Sequence, residues 1–180
     1  MLHRDGWYRG ARRVDSPNCD ARPEDAAPTL LVVHAISLPP GQFGGDAVER
    51  LFTNRLDPDA HPYYAGLREL RVSAHFYIRR DGELIQFVPA HLRAWHAGAS
   101  LWRGRSRAND YSIGVELEGD DATPFESAQY ARLAELAAGL AATLPLVDVA
   151  AHSDISPGRK TDPGPHFDWP RFLALLARAR

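Results

Sequence analysis

Cysteine is nearly absent from this sequence, since Cys19 is the only one among 180 residues. A single thiol cannot form a disulfide within the chain, which excludes a secreted scaffold held together by disulfides. Cys19 lies in a polar Ser-Pro-Asn-Cys-Asp turn rather than in a setting typical of a catalytic thiol, and we interpret it as incidental. Such scarcity of cysteine is typical of proteins from a reducing compartment.

Long apolar runs are also missing. No run approaches the ~18 residues that a membrane-spanning helix needs. The first eight residues, from Met1 to Tyr8, contain no apolar segment of the kind that a secretory signal carries. These two absences predict a cytoplasmic protein that has no membrane partner.

An excess of charge of one sign is the third absence. The 21 lysines and arginines nearly balance 23 acidic residues, giving a net charge of −2, so no basic surface is available for nucleic acid. Internal repeats and low-complexity tracts are missing too. The 44% of hydrophobic residues is ordinary for a globular protein, and a chain of this length buries roughly 70% of its unfolded surface. We therefore predict a single domain over residues 1–180. We also expect a monomer, although the sequence itself does not fix the oligomeric state.

Strand and helix patterns alternate along the chain. The predicted strands cover residues 30–33, 73–80, 83–88, 112–119 and 146–151, with a short edge strand around residues 10–14. Asp81-Gly82 predicts a hairpin between two of them. The predicted helices cover residues 46–53, about 124–144 and 169–178; Thr123 and Pro124 predict the start of the second. This interleaving favours an α/β (α+β) fold with a mixed sheet.

Two predicted strands end in a histidine. Leu30 to Val33 leads to His34, and an apolar run from Leu146 to Ala151 leads to His152. Two such strands can bring both imidazoles to one edge of a sheet. A proline-rich loop follows His152 and carries Lys160 and Asp162, so that a carboxylate can complete a three-ligand metal site.

Each of these residues also has a structural interpretation. A single histidine at the end of a strand is more often a partly buried structural residue than a metal ligand, and aspartate before proline is a common turn residue. The compact Lys160-Thr161-Asp162 segment beside the second histidine favours the metal site. Two imidazoles and one carboxylate suit Zn²⁺, and three protein ligands leave a fourth position open for chemistry.

Glu116 lies on a strand whose other residues on the same face are small or polar. Ser112, Gly114 and Glu118 share its face, while the opposite face is apolar. This pattern predicts open space in front of Glu116, as the floor of a catalytic cleft requires, although an exposed sheet face gives the same pattern. Glu116 is our candidate general base, and Lys160 our candidate for stabilising an oxyanion.

Two long connecting segments also allow two interpretations. Residues 37–64 form either a binding loop or a surface loop without function. Residues 101–110 contain three arginines, which indicate either a solvated loop or a rim that binds carboxylates.

Six short segments, in this order, resemble the zinc amidases of the peptidoglycan-recognition fold, and more narrowly the AmpD-type family. They are residues 32–34 (Val-Val-His), 37–41 (Ser-Leu-Pro-Pro-Gly), 73–76 (Ser-Ala-His-Phe), 94–98 (Ala-Trp-His-Ala-Gly), 114–119 (Gly-Val-Glu-Leu-Glu-Gly) and 160–165 (Lys-Thr-Asp-Pro-Gly-Pro). The resemblance runs from about Trp7 to Trp169. It implies a central mixed sheet flanked by helices, the type 2 amidase fold.

The resemblance also implies an activity and the residues that carry it. The expected reaction is cleavage of the amide between the lactyl group of 1,6-anhydro-N-acetylmuramic acid and L-alanine of the stem peptide, in peptidoglycan recycling. The resemblance implies that His34, His152 and Asp162 bind the metal. It implies that Glu116 and Lys160 are the catalytic residues. The positions expected to contact the small-molecule muropeptide are Arg71, Trp95 and Arg107.

Two positions qualify the resemblance. Ala35 follows the first metal histidine where the family usually has asparagine, so a polar substrate contact is missing or replaced. His75 matches a family segment near the site, and we interpret it as a structural residue rather than a ligand.

Three other functions compete with this one. A peptidoglycan-binding module of the same fold typically lacks a complete ligand set, which this chain keeps. A serine or cysteine hydrolase would need a nucleophile in a dedicated turn, and no Gly-x-Ser-x-Gly occurs. The remaining alternative is an amidase of lysin type that acts on polymeric peptidoglycan.

Overall fold

The computed structural model describes residues 1–24 and 26–179. Its strands are β1 Arg12–Arg13, β2 Cys19–Ala21, β3 Leu30–Ile36, β4 Phe76–Ile78, β5 Leu84–Gln86, β6 Leu92–Ala94, β7 Leu101–Trp102, β8 Arg105–Ser106, β9 Ser112–Glu118 and β10 Asp148–Ala151. Its α-helices are α1 Ala47–Phe52, α2 Pro62–Ala65, α3 Ser127–Ala141, α4 His152–Ile155 and α5 Trp169–Ala179. A 3₁₀ turn covers Ala108–Tyr111.

Six strands form a mixed sheet in the order β1-β5-β4-β9-β3-β10. Strand β3 pairs in parallel with both β9 and β10, and β9 pairs in parallel with β4. The hairpin of β4 and β5 supplies an antiparallel pair, and Gly82 in its turn has a φ of +88°. The mixed sheet with flanking helices confirms the predicted α/β (α+β) class.

The two faces of the sheet have different roles. Apolar residues of one face pack with α3 and α5 in the main core; they include Leu31, Val33, Ile113, Val115 and Leu117. Fully burying a side chain of this size contributes about 1.5–3 kcal/mol, so this face anchors β3 and β9. The opposite face packs a smaller cluster that includes Leu30 and Val32. His34 and Glu116 lie on this second face, on rigid strands.

The start of the long helix differs from the prediction. Helix α3 begins at Ser127 rather than at Pro124, and its N-cap is Glu126, whose backbone N–H donates to the Oε1 of Gln129 at 3.0 Å. The Oδ1 atom of Asp120 accepts hydrogen bonds from the backbone of Ala122 (2.9 Å) and Thr123 (2.7 Å). These bonds hold Thr123 in a turn, so it is not the N-cap.

Other elements also differ in their bounds from the prediction. Strand β3 continues two residues past His34, so this histidine lies inside the strand. Strands β4 and β5 are each shorter than predicted, and α3 ends at Ala141. Helices α1 and α5 agree with the prediction within one residue at each end, and none of the helices in the described residues is long and apolar enough to cross a membrane.

Candidate active site

Strand pairing brings the two predicted metal histidines together. Strand β10 pairs in parallel with β3 so that Ala151 lies opposite Val33. The next residue on β10's side is His152, which begins α4, and the next on β3 is His34. Their Nδ1 atoms are 2.9 Å apart, and both side chains are buried. The prediction that two separate strands would bring these imidazoles to one place is confirmed.

Asp162 completes the group from the proline-rich loop. Its Oδ2 atom is 3.2 Å from the Nδ1 of His34 and 2.9 Å from the Nδ1 of His152. The backbone N–H of Ser153 donates to the carbonyl oxygen of Asp162 at 3.0 Å, which ties the loop back to α4. The three donor atoms converge on one point, and we call these residues the donor set.

The chemistry of the donor set fits a cation. Burial lowers the pKa of His34 to about 4, so its imidazole is neutral at pH 7. The Nε2 of His152 faces the carbonyl oxygen of Ala97 at 3.2 Å, and a carbonyl only accepts, so Nε2 carries the proton and Nδ1 carries a lone pair. Tetrahedral zinc with bonds of about 2.0–2.1 Å would separate its ligands by about 3.3 Å, close to the observed spacing.

Glu116 lies beside the donor set. In the pairing of β3 with β9, Glu116 stands opposite His34, so their side chains share a face. Glu116 is only 8% exposed, and its Oε2 atom is buried with no hydrogen-bond partner among the described residues. Burial and the negative charge of Asp162 raise the pKa of Glu116 well above its usual range, while Lys160 acts to lower it. A carboxyl group in this setting can hold a proton.

The open space predicted along the Glu116 face is partly filled. A Cβ atom at Gly114 would lie 2.5 Å from the Cγ of His96, so the imidazole occupies the place of a side chain there. The carboxylate of Glu118 also has a partner, because it accepts a hydrogen bond from the backbone N–H of Arg80 at 3.0 Å. Open space remains at Glu116, which lines a cleft.

This cleft has a volume of about 890 Å³. The predicted site residues that line it are Glu116, His152, Lys160, Asp162, Arg71 and Trp95. The Arg71 Nη1 donates to the carbonyl oxygens of Arg68 and Leu70, which holds its guanidinium at the rim. Ala35 and six residues of the 37–64 segment also line the cleft, which favours a binding loop over a surface loop without function.

Arg107 is placed differently. The described residues that line the cleft do not include it; its side chain is 69% exposed and forms an ion pair with Asp110 at 3.0 Å. Arg103 of the same loop pairs with Asp148 at 2.9 Å. The loop is thus mainly solvated in this structure, and a substrate contact by Arg107 stays a prediction.

Two other histidines lie near the donor set. His75 accepts from the Gly114 backbone N–H at 3.1 Å through Nδ1 and lies 3.0 Å from the Leu92 carbonyl oxygen through Nε2, so it is satisfied away from the donor set. The second is His96, whose Nδ1 is 2.9 Å from the Nε2 of His34. The sequence analysis assigns it no role. One signal for it existed: a glycine inside a buried strand marks a close approach, and Gly114 is such a glycine.

Comparison with known proteins gives a consistent result. The family model described as N-acetylmuramoyl-L-alanine amidase matches residues 24–165. The Salmonella typhimurium protein named 1,6-anhydro-N-acetylmuramyl-L-alanine amidase AmpD is 56% identical to this chain. The match covers 98% of this chain and 96% of that protein. Its counterpart in Escherichia coli is 55% identical, over 99% of this chain and 98% of that protein.

Solved structures agree with the sequence matches. A crystal structure of a selenomethionine AmpD derivative has a TM-score of 0.95 at 56% identity and covers 98% of this chain and 99% of its own. A complex of the E. coli amidase AmiD with anhydro-N-acetylmuramic acid-L-Ala-D-γ-Glu-L-Lys has a TM-score of 0.61 at 32% identity, covering 86% of this chain and 60% of that one. The family match, the identity over nearly the whole chain and the conserved fold together place this protein in the N-acetylmuramoyl-L-alanine amidase family.

Proposed function

We propose that this protein hydrolyses the amide between the lactyl group of 1,6-anhydro-N-acetylmuramic acid and L-alanine of the stem peptide, as part of peptidoglycan recycling. The observation that carries the proposal is the donor set beside the buried Glu116, at the wall of a cleft of about 890 Å³. The names of the relatives that align over nearly the whole chain support this substrate.

The donor set would hold Zn²⁺ through the Nδ1 atoms of His34 and His152 and a carboxylate oxygen of Asp162. Zinc bound there would polarise the scissile carbonyl group and lower the pKa of a water molecule to about 7. The protein's own part is to fix three ligands on strand β3, the start of helix α4 and the proline-rich loop, so that the geometry exists before substrate binds.

Glu116 and Lys160 would carry the proton transfer and the charge. The Glu116 carboxylate would take a proton from the attacking water and pass it to the nitrogen of the departing L-alanine, which completes the hydrolysis. The ammonium of Lys160 would stabilise the negative charge that develops on the carbonyl oxygen. Both residues line the cleft, which supports these roles.

We expect the metal site to bind one zinc ion per chain. The convergence of three lone pairs within 2.9–3.2 Å is unfavourable until a cation occupies their centre. Metal analysis of purified protein should therefore give a ratio near one, and His34→Ala and Asp162→Ala should lose most of the zinc. Near-full occupancy in both variants would show that other residues bind the metal.

We expect the enzyme to prefer soluble anhydromuramyl peptides over intact sacculi. The full-length relatives are named for the anhydro substrate, whereas endolysin-type amidases match at 18% identity, which shows the fold alone. Anhydromuramyl tripeptide and sacculi should be incubated with the enzyme, with and without chelator, and the products compared by mass. Faster release of peptide from sacculi would favour the lysin-type alternative.

We propose that Arg71, Trp95 and Arg107 contact the muropeptide. Guanidinium groups pair with carboxylates through two parallel hydrogen bonds, and the stem peptide carries carboxylates. Arg71→Ala should raise KM by about tenfold with little change in kcat, if the pair is shielded from water. Arg107→Ala should act in the same direction and less strongly, since Asp110 already holds its guanidinium. An unchanged KM on a tripeptide substrate would mean that the replaced arginine is a solvated residue that does not bind the substrate.

The proposed location is the cytoplasm, where the single free thiol of Cys19 would stay reduced. The proposed partner is a small-molecule muropeptide rather than nucleic acid or a membrane. A single domain acting as a monomer stays our prediction.

A further inference from the structure

We infer that His96 is a positioning residue for the metal site: with Ser112 it holds His34 in the tautomer that turns the Nδ1 lone pair towards the donor set. The inference rests on the metal site proposed above and concerns a side chain that would not touch the metal. Its basis is a chain of hydrogen bonds whose direction is fixed at one end.

The chain of hydrogen bonds starts at the backbone carbonyl group of Ala108. The Oγ–H of Ser112 donates to the carbonyl oxygen of Ala108 at 2.6 Å, and this oxygen can only accept. The Ser112 hydroxyl has used its proton, so it accepts from the Nε2–H of His96 at 3.1 Å. A neutral imidazole that donates through Nε2 accepts through Nδ1.

The chain of hydrogen bonds ends at His34, the proposed metal ligand. The Nδ1 of His96 accepts from the Nε2–H of His34 at 2.9 Å. With its proton on Nε2, His34 presents an Nδ1 lone pair, and this atom faces His152 and Asp162. Ser112 and His96 thus fix which nitrogen of His34 can bind a cation.

The fold reserves space for His96. The imidazole rings of His96 and His34 meet edge to face, with centroids 4.9 Å apart. Gly114 leaves the gap in β9 that His96 fills, since a Cβ there would come within 2.5 Å of the ring. This close fit fixes the ring position, and the hydrogen bonds fix its protonation pattern.

The backbone next to His96 orients the second histidine. The Oδ1 of Asn109 accepts from the backbone N–H groups of His96 (3.1 Å) and Ala97 (2.8 Å). The carbonyl oxygen of Ala97 accepts the Nε2–H of His152 at 3.2 Å. Two consecutive residues therefore set the tautomers of both metal histidines. His96 sets that of His34 through its side chain, and Ala97 sets that of His152 through its carbonyl group.

The inference predicts a change in metal affinity. Residues that hold a metal-binding histidine in place typically contribute 10–100-fold to affinity. His96→Ala should therefore bind Zn²⁺ about 10–100-fold more weakly. His96→Asn should recover much of the loss, because an amide oxygen on the same Cγ position can accept the Nε2–H of His34. The matched control is His75→Gln, which alters a buried histidine outside the chain of hydrogen bonds.

The experiment measures the zinc dissociation constant of each metal-free protein by competition with a chromophoric chelator. The expected order of weakening is His96→Ala first, then His96→Asn, with His75→Gln close to the parent protein. Equal affinities in the parent protein and His96→Ala would overturn the inference and leave the metal site intact. Failure of the parent protein to bind one zinc would instead contradict the proposed metal site.

A second variant covers the case in which His96→Ala does not fold. Ser112→Ala removes the acceptor for the Nε2–H of His96 and keeps the ring in place. The nitrogen chemical shifts of His34 in the metal-free protein should then show a mixture of tautomers, whereas the parent protein should show the Nε2–H form. A single Nε2–H form in Ser112→Ala, with unchanged zinc affinity, would overturn the inference.

Discussion

Replacing Glu116 by alanine should lower kcat by about 10²–10⁴ while zinc stays bound, the range expected for loss of a general base. Glu116 stands opposite His34 on the neighbouring strand but is not a member of the donor set, so metal binding does not depend on it. Its raised pKa, caused first by burial, also means that it can hold the proton that it must pass to the leaving nitrogen. The measurement is kcat on anhydromuramyl tripeptide at saturating zinc, with metal content determined in parallel.

Glu116→Gln and Glu118→Gln provide the controls. Glutamine at 116 removes the base with little change in shape, and it replaces a buried carboxyl whose Oε2 lacks a partner, so the free energy of unfolding should stay equal or rise. Glu118 lies on the same face but accepts backbone hydrogen bonds, so Glu118→Gln should lower stability and leave kcat near normal. Parent-level kcat in zinc-saturated Glu116→Gln would mean that another group is the base.

Lys160→Ala should lower kcat by roughly 10²–10³, comparable to the loss of an oxyanion donor. Lys160 is exposed along the cleft and close enough to Glu116 to act on its pKa. Lys160→Met is the sharper variant, because it keeps the apolar stem and removes only the charge. Lys160→Arg should recover part of the activity. A kcat within a factor of about three of the parent in Lys160→Met would remove Lys160 from the chemistry.

The double variant separates chemistry from loop ordering. If Glu116 and Lys160 act in one transition state, their combined loss should be smaller than the product of the single losses. The alternative is that the two residues only pair to order the proline-rich loop. In that case either single variant would lower zinc affinity, and adding zinc would restore the chemical step.

The residues of the donor set could be predicted because their signals are local. Apolar runs leading to His34 and His152 identify two strands, and the Lys160-Thr161-Asp162 segment lies close in sequence to the second histidine. Parallel pairing of β3 with β10 then brings the two histidines together.

Other parts of the site depend on tertiary packing, which no local pattern reveals. The role of His96 becomes visible only when the loop folds onto β9 and fills the gap at Gly114. The capping pattern predicts the start of α3 too early, because the carboxylate of Asp120 accepts from the Thr123 N–H and holds Thr123 in a turn. The pattern alone cannot decide between these two hydrogen-bonding arrangements. Whether Arg107 reaches the cleft depends on the ion pair with Asp110, which sequence spacing does not reveal.

The position of β3 has a consequence for how the chain folds. Strand β3 is formed by residues 30–36, yet its two neighbours in the sheet begin at Ser112 and Asp148. During synthesis the N–H and C=O groups along both edges of β3 stay unpaired until strands that follow roughly 80 and 120 residues later have been made, and contacts so distant in sequence slow folding. Until β10 arrives, one edge of β3 is an open template for pairing with other chains. A chain interrupted before residue 148 would therefore lack His152 and Asp162 and also expose an aggregation-prone strand.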